Sequence, residues 1–266
     1  MGGLLKQVKR DDYDFSLLLG DALEGSYQDG SDVIQEWIQY LKLLDGENKP
    51  VVFVRGNHDI RHKFAKRLAY LFDLPNLDPT QPWGDEQWNY TLQAGPVSFL
   101  MLDTGEDDDA GTPASSYKNP VLWNKVRQRQ AEWFKQVVPS AAANSTPWRV
   151  LCSHIPLHNS PWTSAPSRTL WTPLLQQWKP DLALAGHDHT WRAATPVPQG
   201  VPWPSLVGGG PAKSGGEEAT MMVLSADQQS LKIRLVGSKD GRTLTEFSAG
   251  KPNKPGAIGN ISPFEP

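Results

Sequence analysis

The sequence predicts an α/β fold that closes on a β-rich C-terminal part. Three observations predict it. Short apolar runs end abruptly in polar residues, as in Val51-Val52-Phe53-Val54-Arg55-Gly56-Asn57-His58-Asp59. Segments with helical spacing separate these runs, so strand and helix alternate. After about residue 220 the helical spacing stops and only strand-like runs remain. The 266 residues suffice for a sizeable core. One domain is expected over 1–250, with a Pro/Gly-rich tail that drapes or frays over 251–266.

Composition excludes several classes. Net charge is -3, and no basic stripe argues for nucleic acid. The acidic cluster from Glu106 to Asp109 reads as a solvated loop. A single cysteine, Cys152, excludes an intramolecular disulfide and a Cys-based zinc site. No apolar run approaches membrane-spanning length. Eleven Trp and 23 Pro suit a loop-rich surface with aromatic packing. The sequence leaves the oligomeric state open.

The elements follow in order. Leu4, Leu5 and Val8 share a helical face with no cap ahead of it. Residues 14–19 form the first clear strand, ending in Gly20-Asp21. Ser31 or Asp32 caps a helix through about Leu44, with Ile34, Trp37, Ile38 and Leu41 on its buried face. Asp45-Gly46 breaks it. The strand 51–54 then implies a parallel crossover. A helix is expected over 61–72. Residues 88–92 and 97–103 read as a hairpin about Gly95-Pro96. Residues 104–120 form a long acidic loop, read as a surface insertion rather than a lid. Helices over 122–138 and 170–178 flank a strand, 148–154, that ends in His154. The next strand, 181–185, ends in Gly186-His187-Asp188-His189. Strands over 220–224, 230–236 and 244–247 follow, with Asp240-Gly241 as a turn. Gly208-Gly209-Gly210-Pro211 permits close backbone approach or a sharp turn.

Of six histidines, four fall at strand ends: His58, His154, His187 and His189. Asp21 and Asn57 occupy matching places. A lone histidine is usually a hydrogen-bonding residue. Four at one edge of a parallel sheet are hard to treat as independent, because that edge is where ligands bind. Oxygen and imidazole donors without thiolate suit Mn, Fe or Zn. His187 and His189 point the same way if extended, and diverge toward two metals if the strand has ended.

Gly20-Asp21, Gly56-Asn57-His58-Asp59, Ser153-His154 and Gly186-His187-Asp188-His189, in that order, resemble the motifs of the calcineurin-like metallophosphoesterases. The resemblance implies a four-layer αββα sandwich, two mixed β-sheets flanked by helices. It implies that Asp21 bridges two metals, that Asn57, His154 and His187 complete the second metal site, and that His189 belongs to the first. His58 would touch the phosphate and protonate the leaving group, and Glu24 falls where many members carry an Asp that orients that histidine. Asp59 is expected to be structural. The implied cofactors are two divalent or mixed-valence transition-metal ions, Mn, Fe or Zn. The implied reaction is hydrolysis of a phosphomonoester or phosphodiester, small or macromolecular, by metal-activated water. Two cations about 3.5–4 Å apart can clamp the attacking and leaving oxygens of such a transfer.

Residues 154–160 and 186–191 are most similar to the purple-acid-phosphatase-like branch. That branch places a metal-bound tyrosine three residues after the bridging aspartate, where this chain has Glu24. His158 falls near the site on this reading, as a substrate contact or as a hydrogen-bonded residue. The family's first motif, Asp-x-His at the end of the first strand, has no counterpart ahead of residues 3–9. The chain is therefore expected to be N-terminally incomplete, with the first strand missing. The first metal then keeps only Asp21 and His189, and this form would hold one ion where the complete protein holds two. That departure motivates the alternative of a non-catalytic or single-metal member that binds a phospho-ligand or partner. A structural β-rich module with incidental histidines is a third reading. Relatives of the branch are often exported, so a periplasmic or secreted location goes with an upstream signal segment, and a cytoplasmic one with its absence.

Overall fold

The computed structural model describes residues 2–5, 8, 12–23, 30–46, 48–61, 88–106, 123–158, 160, 165–195, 202–210, 218–250 and 261–265. A short helix α1 (Gly2–Leu5) precedes β1 (Ser16–Leu19), α2 (Gly30–Leu43), β2 (Val51–Val54) and α3 (Asn57–Arg61). The hairpin β3 (Tyr90–Ala94) and β4 (Val97–Leu102) follows, then α4 (Trp123–Val137) and α5 (Ala141–Asn144). Next come β5 (Trp148–Ser153), α6 (Ala165–Trp178), β6 (Leu182–Ala185), β7 (Arg192–Ala194) and β8 (Ser205–Val207). The chain closes with β9 (Thr220–Ala226), β10 (Ser230–Gly237), β11 (Thr243–Gly250) and β12 (Ile261–Glu265).

These elements form the expected four layers. One sheet has the order β3-β4-β5-β6-β8-β7, with β4, β5, β6 and β8 parallel. Against one face pack the antiparallel sheet β12-β11-β10-β9 and the parallel pair β1-β2. Strand alternation explains this arrangement. Phe99 and Met101 of β4 meet Leu231, Ile233, Leu235 and Phe247 in the sandwich core. Leu100 and Leu102 face the other way, onto Phe134, Trp171 and Leu175 of α4 and α6. A one-residue slip would exchange the two faces. Each fully buried large apolar side chain contributes roughly 1.5–3 kcal/mol, so the register is strongly held. Leu17 and Leu19 of β1 likewise join the sandwich core, whereas Phe53 of β2 packs beneath α2.

Several local expectations change. The buried stripe of α2 is Val33, Trp37 and, beyond its last turn, Leu44, while Ile34 is exposed. The spacing from Val33 matches the helix period as well as the spacing from Ile34, and packing chose between them. Asp45 ends the helix at φ 56°, and the Gly46 amide donates to the Leu41 carbonyl at 2.7 Å. Helix α6 begins at Ala165, ahead of the expected 170, and carries Pro173 inside it. The tail does not simply drape: Ile261–Glu265 pairs antiparallel with β11. Seven tryptophans, Trp37, Trp88, Trp123, Trp148, Trp171, Trp178 and Trp203, are buried, so much of the aromatic content is core. Most of the expected helix over 61–72 and of the acidic loop over 104–120 lies outside the described residues.

Candidate metal centre

Strand ends from two sheets meet at one place. β1 delivers Asp21, β2 leads into Asn57 at the start of α3, β5 delivers His154 and β6 delivers His187. Two glycines let the backbones approach. Gly20 has φ 83°, and a Cβ there would lie 2.6 Å from His154 Cγ. A Cβ on Gly56 would overlap the Asp21 amide nitrogen and carboxylate. Asp21, His187 and His189 themselves adopt φ of 52°, 70° and 57°. Side-chain-bearing residues rarely take that conformation, and where they do the strain often marks a functional site.

His154 is the hub. Its Nδ1 lies 2.7 Å from the Leu19 carbonyl oxygen, which can only accept, so Nδ1 carries a proton. Its Nε2 faces Asp21 Oδ2 at 3.0 Å, Asn57 Oδ1 at 3.0 Å and His187 Nδ1 at 3.2 Å. The Asn57 amide nitrogen points away, 3.4 Å from Glu106 Oε1. The two oxygens are acceptors, so the arrangement calls for positive charge among them. The ligand atoms of Asp21, His154 and His187 lie within 4.8 Å of one another. Carboxylate, amide oxygen and imidazole, without thiolate, fit a divalent transition-metal ion.

The electrostatics agree. Burial raises the Asp21 carboxyl, but the His154 and His58 imidazoles outweigh it and hold Asp21 well below the usual carboxylate range. Burial opposes charge on His154, yet the Asp21 carboxylate lifts it above the ordinary histidine value. Burial and then the neighbouring His154 push His187 down to about 3, which keeps it neutral. The cluster therefore favours one positive charge at its centre and disfavours a second on His187.

Asp59 braces this geometry. Its carboxylate accepts from the amides of Asp21 at 2.9 Å, Gly56 at 2.7 Å and Leu23 at 3.0 Å. That is the structural role expected of it. Burial, and after it the Asp21 charge, push Asp59 up to about 7.

His58 donates its backbone N–H to Asp21 Oδ1 at 2.9 Å. Its Nε2 sits 3.2 Å from Arg61 Nη1. Arginine only donates, so Nε2 accepts and the ring proton of the neutral form is at Nδ1. His189 stands outside the group of three ligand residues, and a Cβ on Gly210 would lie 3.0 Å from the His189 Cα. Glu24 lies outside the described residues. His158 is hydrogen-bonded rather than part of the cluster: its Nε2 is 3.2 Å from Thr172 Oγ1 and its ring stands edge-on to Trp203.

Glu106 corrects the sequence reading. It is buried at 1% exposure rather than solvated. Arg61 pairs with it through both Nε and Nη2, and Arg127 Nη2 donates to its carbonyl oxygen at 2.6 Å. Neither Arg61 nor Glu106 was marked by a motif. One signal existed: β4 ends in Asp103-Thr104-Gly105-Glu106, the same apolar run into acid that marks Asp21. Asp103 has its own buried partner in Arg55.

Residues 2–191 match the family model for calcineurin-like phosphoesterases. The chain is similar to purple acid phosphatase 1 of Ipomoea batatas, 22% identical over 158 residues, which cover 56% of this chain and 30% of that protein. Among solved structures it is similar to a purple acid phosphatase from yellow lupin (Lupinus luteus) seeds, with TM-score 0.66 and 17% identity over 93% of this chain and 48% of that one. A dimetal phosphatase from Danio rerio gives TM-score 0.59 and 16% identity, over 91% and 86% of the two chains. The anchor in the inner membrane complex of Plasmodium gives TM-score 0.54 and 14% identity, over 96% and 85%. The chain thus spans under a third of the Ipomoea batatas protein and about half of the lupin one. By the family match over most of its length, the chain belongs to the calcineurin-like phosphoesterase family.

Proposed function

We propose that this protein hydrolyses phosphate esters, monoester or diester, at a dinuclear metal site. One observation carries the reading: His154 Nε2, Asp21 Oδ2, Asn57 Oδ1 and His187 Nδ1 converge at the carboxyl ends of strands from two sheets. In this reading those four residues would hold one divalent ion, and Asp21 and His189 would contribute to holding a second. Bound at such a site, the ions supply Lewis acidity toward a phosphoryl oxygen and lower the pKa of water.

The chain's own residues supply the rest. Asp21 offers Oδ2 to the cluster while its Oδ1 accepts from the His58 amide. The Leu19 carbonyl fixes the ring of His154 and its tautomer. His58 would contact the phosphate and, in its imidazolium form, give a proton to the leaving oxygen. Glu24, three residues after Asp21 in sequence, would be the residue to orient that imidazole. The family match and the phosphatase relatives support the reaction class.

The test is metal content with activity. The chain, purified without chelator, should bind Mn2+, Fe2+ or Zn2+ and hydrolyse p-nitrophenyl phosphate or its bis ester. Chelator should abolish turnover, and saturating metal at 100 times Kd should add about 2.7 kcal/mol of stability. His154→Ala should remove both effects. Hydrolysis that survives chelator and His58→Ala refutes the assignment. Metal binding without hydrolysis of either ester favours a phospho-ligand-binding member.

A further inference from the structure

Glu106 touches two groups of the site at once. Its carboxylate is gripped by Arg61 through Nε at 2.8 Å and through Nη2. Its Oε1 also lies 3.4 Å from Asn57 Nδ2. Its backbone is tied to α4 by Arg127. The side chain is buried, so this placement is fixed by the fold.

An asparagine side chain has two nearly isosteric faces with opposite chemistry. Here one face looks at His154 Nε2 and the other at Glu106. Turned over, the amide would bring Oδ1 against the Glu106 carboxylate and point Nδ2 at the His154 lone pair. That second state would cap the nitrogen a cation needs and withdraw the oxygen it needs. A carboxylate that can only accept forbids it.

We infer that Glu106 is a positioning residue that sets which face of the Asn57 amide meets the cation. The inference rests on the proposed role of Asn57 as a metal ligand. Arg61 serves the same device by holding the carboxylate in place, and its Nη1 reaches His58 from the same position. Glu106 thereby links the orientation of a metal ligand to that of the proposed proton donor.

The test uses the full chain and Mn2+ or Zn2+ alone, by equilibrium dialysis and calorimetry. Glu106→Gln keeps the shape but adds a donor, so the Asn57 amide can turn over. Metal affinity should fall about 10- to 100-fold, the range for lost outer-shell partners. Combining it with Asn57→Asp should recover most of that loss, because a carboxylate has no wrong face. Glu106→Gln with wild-type affinity overturns the inference. So does a loss that Asn57→Asp does not recover, since a merely structural role predicts no rescue. A crystal structure of the wild-type chain with Mn2+ reads the same point without a variant. Asn57 Nδ2 bonded to Glu106 supports the inference, and Glu106 turned away from an unchanged Asn57 overturns it. The wild-type arm tests the underlying reading separately: no metal bound by the wild-type chain sinks the proposed metal site itself.

Discussion

His154 Nδ1 lies 2.7 Å from the carbonyl oxygen of Leu19, across 135 residues of sequence. This bond joins the six-stranded sheet to the β1-β2 pair at their carboxyl ends. It also decides chemistry, because it commits one ring nitrogen and leaves the other to face Asp21 and Asn57. Gly20, the residue after Leu19, lies against the same imidazole.

Gly20→Ala should therefore damage fold and site together. The backbone there is left-handed at φ 83°, which costs an L side chain about 1–2 kcal/mol, and the added Cβ would overlap the His154 ring. A loss of at least about 2 kcal/mol is expected in urea unfolding of the metal-free chain, with weaker Mn2+ binding besides. Wild-type stability in that experiment would show that the two sheets are not in contact at Gly20.

Asp59→Asn tests the brace. The carboxylate satisfies three backbone amides, two through Oδ2 and one through Oδ1. An amide side chain offers one acceptor and turns a donor toward at least one of those N–H groups. Leaving a buried N–H unpaired costs about 1–3 kcal/mol, so a destabilisation of that size should appear in the same unfolding measurement. A change under about 0.5 kcal/mol, as for an ordinary surface substitution, would contradict the role.

His158 is expected to set part of the acid sensitivity. Burial, and then the charge of Arg168, push it down to about 4 from an ordinary 6.5. Between those values the unfolded chain takes up a proton that the folded chain refuses. Unfolding therefore gains as pH falls through that window, and the group has no such effect above pH 7. His158→Gln should flatten the fall in melting temperature between pH 6.5 and 4 and leave its slope between pH 7 and 8 unchanged. Parallel curves for the two proteins across the acid window would show that His158 does not contribute to the acid sensitivity.

The site was legible where its residues lie beside one another in sequence. Asn57 and His58 follow one strand, His187 and His189 another, and each run announces its own end. Glu106 was not legible. It follows a strand too, but an acid among Asp107, Asp108 and Asp109 reads as solvated until Arg61 and Arg127 are seen to reach it. The buried face of α2 shows the same limit on a smaller scale. Val33 and Ile34 are equally apolar, and only the position of Phe53 and Trp88 beneath the helix puts Val33 inside.

The sequence by itself determined the alternation of strand and helix, the family, and the placing of Asp21, Asn57, His154 and His187 at strand ends. Those follow from patterns a few residues long, because backbone periodicity and turn chemistry act locally. Only the tertiary structure decided that these four meet within hydrogen-bonding distance and that Glu106 backs Asn57. Those contacts join residues 33 to 135 positions apart or depend on how two sheets face each other. Such geometry is fixed by burial of the shared core, in which many side chains settle one arrangement together.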